Sequence, residues 1–417
     1  MRYYIIAGEA SGDLHGSNLI KGLRAEDPEA EFRLWGGDMM LGAALGDPIP
    51  QTEPNIGSAT PPCPAECSPA GSDRREPGDV TGVEPPSKGA KGAIPVILAK
   101  DYRDGAVMGF TEVMAKAGKL LGNIRFCKSD ILAWKPDVVI LIDYPGFNMR
   151  IAKFCHSKGI KVFYYIAPKT WASRESRNRK LKRWVDKLFI VFPFEVPYFE
   201  KTGIPFEYVG NPLLDAVDNH EYKPVTDGPY IALLAGSRAS EISRMMPVCM
   251  QVADNLGCKV VIAGAPARSA ADYSAYIGDR KNVELVFGRT YDVLRYADAA
   301  IINSGTASLE AALIGTPQVV CWSTSKLTAF VARNILRVMD KIDFISLGNL
   351  CIGKCAFREL IQEEFTAENV TTELRRLTTD REYRERMLDD YADIRQSLGG
   401  RGASRAVAKA IIKELRK

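Results

Sequence analysis

The sequence predicts an α/β protein made of two parallel-sheet units. Short apolar runs alternate with amphipathic stretches nearly throughout, the rhythm of strand–helix–strand repeats. Strand-like runs fall in two sets, one in each half of the chain. Several of them end in a glycine turn followed directly by a helical pattern, where α/β proteins place their ligands.

The first strand is Tyr3–Ala7. It is too short for the apolar core of a signal peptide and runs straight into a Gly-rich turn. Val138–Ile142, Lys161–Ile166 and Lys187–Val191 complete the first set. Ile231–Leu234, Lys259–Ala263, Val283–Phe287, Ala299–Ile302 and Gln318–Cys321 form the second. Between the sets, the connection from Asn211 to Pro229 carries three prolines, and the domain boundary is expected there. The expected division is residues 1–210, 211–380 and a C-terminal helical segment 381–417. Residues 48–95 break the rhythm, holding eleven of the 24 prolines and no aromatic residue. Such a segment buries too little apolar surface to offset chain ordering and reads as a disordered or loosely packed insertion.

A hydrophobic fraction of 46% and a net charge of +4 describe a globular chain without a bulk polyanion-binding signal. No apolar run reaches the roughly 18 residues of a membrane span, so a cytoplasmic protein is expected. The nine cysteines are expected to stay reduced. Cys63/Cys67 and Cys351/Cys355 have metal-like spacing. With only three histidines in the chain, none in a ligand pattern beside them, no metal site is expected.

Four constellations carry chemistry. Gly8 to Asp13 links the first strand to a helix, and its spacing is not the dinucleotide G-x-G-x-x-G; a ligand loop and a plain turn both fit. Gly236-Ser237-Arg238 repeats the arrangement. Arg238 either meets a diphosphate with its guanidinium fork or pairs with Glu241 as a helix cap. Ser304, Gly305 and Thr306 open a helix after the strand Ala299–Ile302, offering hydroxyls and free amides to phosphate. Glu310, one turn deeper on the same face, suits the ribose hydroxyls, or it is a capping carboxylate. Asp143 stands at the carboxyl end of Val138–Ile142, either as a general base or as the cap of the next helix, and Asn148 is placed to hold a hydroxyl. No Asp-x-Asp pair occurs, which suits a site that neutralises a leaving diphosphate with Arg238 and a helix dipole rather than a metal.

In order along the chain, AGEASGD (7–13), GGDMM (36–40), VMGFTEV (107–113), IDYPGFN (142–148), YYIAPKTWA (164–172), FPFE (192–195), YVGNPL (208–213), AGSR (235–238), SGTASLE (304–310) and SLGNL (346–350) resemble the lipid-A-disaccharide synthases. The resemblance covers nearly the whole chain outside residues 48–95. It implies the GT-B architecture: two doubly wound, Rossmann-like sheets facing a cleft, with C-terminal helices crossing back to the first. The implied reaction joins UDP-2,3-diacylglucosamine to 2,3-diacylglucosamine 1-phosphate through a β-1,6 linkage, with inversion and release of UDP. Carried over, Asp143 is the candidate base, and Arg238, Ser304, Gly305, Thr306, Glu310 and Asn349 form the UDP side. Ser11, Gly12 and Asn148 form the acceptor side, with no cofactor or metal. Ser173, Ala235 and Gly348 depart from the family's usual Trp, Pro and Pro, which bears on loop rigidity more than on chemistry.

Acylated substrates imply a peripheral enzyme on an anionic membrane surface, the cytoplasmic face of the inner membrane. The basic run Arg174–Lys187 with Leu181 and Trp184, and the apolar residues Met108, Phe110, Met114, Leu120 and Leu121, are the candidates for that contact. The alternatives are another GT-B UDP-sugar enzyme, an epimerase included, and a catalytically degenerate nucleotide-sugar-binding protein. Oligomeric state is not legible, and no nucleic-acid partner is expected.

Overall fold

The computed structural model describes residues 1–46, 96–101, 113–171, 176–266, 268–324 and 343–417. The insertion expected at 48–95, the block at 107–113 save its last residue, Cys63, Cys67 and Ser173 lie outside the described residues, so those expectations are not addressed by it.

Thirteen described strands form two sheets. The first comprises β1 (Arg2–Ala7), β2 (Glu31–Gly36), β3 (Val96–Asp101), β4 (Val138–Ile142), β5 (Lys161–Tyr165), β6 (Lys187–Ile190) and β7 (Phe206–Tyr208), in the order β3-β2-β1-β4-β5-β6-β7. The second comprises β8 (Tyr230–Leu234), β9 (Lys259–Gly264), β10 (Val283–Phe287), β11 (Ala299–Asn303), β12 (Gln318–Trp322) and β13 (Glu359–Ile361), in the order β10-β9-β8-β11-β12-β13. Every pairing in both sheets is parallel.

A parallel sheet needs crossover helices on both faces, so its central strands are apolar on both sides. In β1, Tyr3, Ile5 and Ala7 enter one core while Tyr4 and Ile6 enter the other, all of them fully buried. The nine strands read from the sequence are present, with ends shifted by one residue at most. Sequence reading missed β2, β3, β7 and β13. β2 alternates polar and apolar, its Arg33 being held by Asp130 through Nε at 2.8 Å, and β7 and β13 have only three residues each.

Both sheets reverse direction once, between β1 and β4 and between β8 and β11. The turns leaving these four strands begin at Gly8, Asp143, Ala235 and Ser304. All four chemical constellations therefore sit at the two switch points, where neighbouring crossovers diverge and open a crevice.

The chain crosses back at its end. Helix Ala403–Leu415 packs on helix Ala10–Glu26 of the first lobe. Arg405 pairs with Glu26 at 2.6 Å, Lys187 reaches Glu414 at 3.1 Å, and the Tyr208 hydroxyl donates to the Leu398 carbonyl at 2.9 Å.

Candidate active site

Ser11, Gly12, Asp143, Lys169 and Thr306 line one cavity between the lobes. The first four come from the first lobe, and Thr306 opens helix Thr306–Ile314 in the second.

Asp143 is held in an unusual backbone state. Asp143 and Tyr144 have φ of 41° and 44°, and Ile166, after β5 on the same cavity, has φ of 60°. Left-handed backbone is uncommon for side chains with a Cβ and a clear outlier for a β-branched one, so surrounding contacts must hold it. The Asp143 carbonyl accepts from the Tyr164 hydroxyl and from the Asn148 amide, the latter at 2.8 Å. Asn148 also donates to the Ile142 carbonyl at 3.1 Å. Gly8 is required here for space: a Cβ on it would come within 2.3 Å of the Tyr144 ring. Thus the first and fourth constellations support one another physically. Burial drives the Asp143 carboxyl above the usual carboxylate range; Lys169 opposes the shift, Glu9 adds to it, and Arg238 opposes it more weakly. A carboxylate with a raised proton affinity, open to the cleft, is a fit proton acceptor.

The pairing with Glu241, one of the two readings of Arg238, is present. Arg238 is the N-cap residue of helix Ala239–Leu256, and its guanidinium pairs with Glu241 at 3.0 Å. Its other terminal nitrogen reaches Glu9 of the first lobe at 3.5 Å, bridging the cleft. The amides of Ser237 and Arg238 both donate to Glu241 Oε2, at 2.9 and 3.1 Å. The backbone of this corner is therefore already satisfied, and what it offers a diphosphate is the half-exposed guanidinium.

The second corner is more open. No side chain caps helix Thr306–Ile314, leaving its first-turn amides for a ligand. The Ser304 amide donates to the Cys321 carbonyl at 3.0 Å, which ties the turn to β12. Glu310 accepts from the Tyr291 hydroxyl at 3.0 Å and is pushed above its ordinary proton affinity by burial.

Two expected residues do other work. Asn349 is fully buried and spends its whole amide on the protein. It donates to the Phe357 carbonyl and the Glu359 carboxylate at 3.0 and 2.9 Å, and accepts from the Ala356 and Phe357 amides at 2.9 and 3.3 Å. With two donors and two acceptors engaged, its side chain braces the loop before β13, and the arrangement lends no support to the UDP role expected for it. Asn148 is likewise buried; its amide nitrogen serves the Ile142 and Asp143 carbonyls beneath the candidate base, while its Oδ1 has no hydrogen-bond partner among the described residues. Asp13 accepts from the amides of Gly37, Met39 and Met40 at 2.8, 3.2 and 3.1 Å, joining the first two sequence blocks structurally.

Sequence reading did not single out Glu9 or Lys169 as site residues. Both lie inside quoted blocks, but only the folded chain brings Glu9 to Arg238 and Lys169 beside Asp143. Among the described residues no cluster of metal-ligating side chains occurs.

The two parallel sheets, with their switch points on a shared cleft, form a two-lobed α/β fold of the GT-B class. Solved structures of that class match almost end to end. The calicheamicin glycosyltransferase CalG4 aligns at TM-score 0.56 and 13% identity over 100% of this chain and 98% of its own. A UDP-GlcNAc 2-epimerase from Methanocaldococcus jannaschii, bound to UDP-GlcNAc and UDP, aligns at 0.58 and 12% over 99% and 100%. At such identities the likeness is one of fold alone. Sequence comparison is narrower: a family profile described as lipid-A-disaccharide synthetase matches residues 81–412. Lipid-A-disaccharide synthases of Trichlorobacter lovleyi and Geobacter metallireducens are 33% and 34% identical, over 99% and 100% of this chain and 97% and 98% of their own. The chain belongs to the lipid-A-disaccharide synthase family.

Proposed function

We propose that this enzyme transfers the 2,3-diacylglucosaminyl unit of UDP-2,3-diacylglucosamine to the 6-hydroxyl of 2,3-diacylglucosamine 1-phosphate. The products are the β-1,6 disaccharide 1-phosphate of lipid A biosynthesis and UDP. The observation that carries the reading is Asp143, held in a strained turn with a raised proton affinity, on the same cavity as the open helix turn at Thr306. In a single in-line displacement the acceptor oxygen attacks the anomeric carbon while its proton passes to Asp143. The bond from that carbon to the UDP oxygen breaks. The departing diphosphate draws on Arg238, the amides and hydroxyls of Ser304, Gly305 and Thr306, and the positive end of helix Thr306–Ile314. Glu310, steadied by Tyr291, takes the ribose. Ser11 and Gly12 line the acceptor side. In this reading residues 1–210 form the acceptor lobe, 211–380 the UDP lobe and 381–417 the returning helices.

The same substrates bring the enzyme to an anionic lipid surface. Helix Ser176–Trp184 carries Arg179, Lys180, Lys182 and Arg183 in exposed positions, which supports an electrostatic contact. Its apolar residues do not serve as lipid anchors. Leu181 is fully buried in the first lobe, and Trp184 packs against that core beneath Lys153. Met108 and Phe110 lie outside the described residues. Leu121 is 53% exposed on helix Val113–Trp134, while Leu120 packs inward. No described helix is long and apolar enough to cross a membrane.

The test is an assay of purified protein with both acylated substrates. Disaccharide and UDP are expected in equal amounts, and Asp143→Ala should abolish turnover while UDP still binds. Epimerised UDP-GlcNAc without disaccharide would overturn the reading; undiminished turnover in Asp143→Ala would overturn the base assignment.

A further inference from the structure

The first-lobe wall of the cleft carries a cation that the transfer mechanism above does not use. Lys169 follows β5 through the strained turn at Ile166 and lies on the cavity beside Asp143. It makes no ion pair with any described residue, though it is close enough to pull on the carboxyls of Asp143 and Glu195. Opposite it, helix Ala10–Glu26 presents Ser11, Gly12 and, one turn deeper, His15 to the same cavity. No side chain caps this helix, so its first-turn amides are unspent. The His15 ring is only 8% exposed, and its Nδ1 has no hydrogen-bond partner among the described residues. A buried imidazole nitrogen without a partner is costly unless a ligand completes it. Burial pushes its proton affinity down to about 4, so near neutrality it is an uncharged ring that can donate one hydrogen bond.

These groups are not the diphosphate site, whose cation and helix turn belong to the second lobe. A cleft that takes two substrates, each bearing phosphate, needs separate places for the two anions. We propose that Lys169 and the unpaired imidazole of His15, backed by the first turn of helix Ala10–Glu26, hold the phosphate monoester of the acceptor while its hydroxyl faces Asp143. The assignment rests on the proposed transfer reaction for the identity of the acceptor. It adds the feature that makes the enzyme choose a phosphorylated acceptor over its phosphate-free counterpart. Lysine supplies the charge; the buried imidazole and the helix amides supply direction.

The experiment compares the full chain with its Lys169→Gln, Lys169→Arg and His15→Gln variants, using 2,3-diacylglucosamine 1-phosphate and 2,3-diacylglucosamine as acceptors. The unmodified enzyme should prefer the phosphorylated acceptor. Compared at an alkaline pH where Asp143 stays ionised without its neighbour, Lys169→Gln should lose about tenfold more in kcat/KM on that acceptor than on the phosphate-free one, mostly through KM. Lys169→Arg should recover most of the loss, and His15→Gln should lose about threefold in the same selective way. UDP affinity should stay the same in all three variants. Equal losses on both acceptors, or weakened UDP binding in Lys169→Gln, would overturn the assignment and leave Lys169 as a counter-ion of Asp143. Direct titration of the two lipids into each protein separates this assignment from the reaction itself. Lys169-dependent preference for the phosphorylated lipid supports the pocket even if no disaccharide forms, and equal binding of both lipids defeats it even if disaccharide does form.

Discussion

At the scale of single residues, proton affinity and ion pairing decide what the cleft can do. The base role proposed for Asp143 needs its ionised form, and burial raises its proton affinity. Activity should therefore fall on the acid side at a pH above that of an ordinary carboxyl near 4, as the group takes up its proton. A pH profile of kcat/KM measures this, and an acid limb at or below pH 4 would contradict it. Arg238 is shared between Glu241 and Glu9. Arg238→Ala should weaken UDP binding by about 2 kcal/mol, because a charge-assisted pair to phosphate is lost. Glu9→Gln should act in the opposite direction, tightening UDP by about threefold, since an exposed competing ion pair is removed. Calorimetric titration of both variants tests the pair together; an Arg238→Ala protein that binds UDP normally would remove that residue from the site.

At the scale of elements, the same polar side chains that look like ligands often hold turns. Asn349, on helix Leu347–Ile352, closes four hydrogen bonds to the segment that leads into β13. Removing it leaves buried backbone groups and the Glu359 carboxylate short of partners. Asn349→Ala should cost about 2–3 kcal/mol of stability, read by denaturant unfolding, with UDP affinity of the folded fraction little changed. A large loss of UDP affinity without loss of stability would restore it to the nucleotide site. The element scale also shows where sequence reading succeeded. β4 is apolar throughout, β11 is apolar up to its last residue, Asn303, and both are buried, so their pattern is unmistakable. β7 and β13 are three-residue strands whose pairing is decided by neighbours distant in the sequence, and no local pattern marks them.

At the scale of the whole molecule, the last helix completes the first lobe. Gly22 sits in the middle of helix Ala10–Glu26, where glycine usually weakens a helix. Its reason is external: a Cβ there would lie 2.6 Å from the Ser404 carbonyl and 3.1 Å from the Ala408 side chain. Gly22→Val should push the returning helix off the first lobe, costing about 1–3 kcal/mol and lowering Tm. Thermal unfolding measures the loss, and a Tm at or above that of the parent would mean the two helices do not approach as described.

From the sequence alone came the two-sheet α/β class, nine of the thirteen described strands and the glycine turns that follow three of them. These are local properties: apolar periodicity, strand length and turn chemistry are carried by adjacent residues. The ten ordered blocks brought the family as well, because enough short motifs in one order specify a chain. Tertiary structure alone decided which polar side chains are still free for a ligand. Asn349 is chemically able to bind one, yet folding spends its hydrogen bonds on groups that would otherwise be buried unpaired. Lys169 and His15 carry no such debt among the described residues, and they meet only because the turn after β5 and helix Ala10–Glu26 converge on one cleft. Whether a buried polar group is satisfied depends on atoms far away in the chain, which no local pattern records.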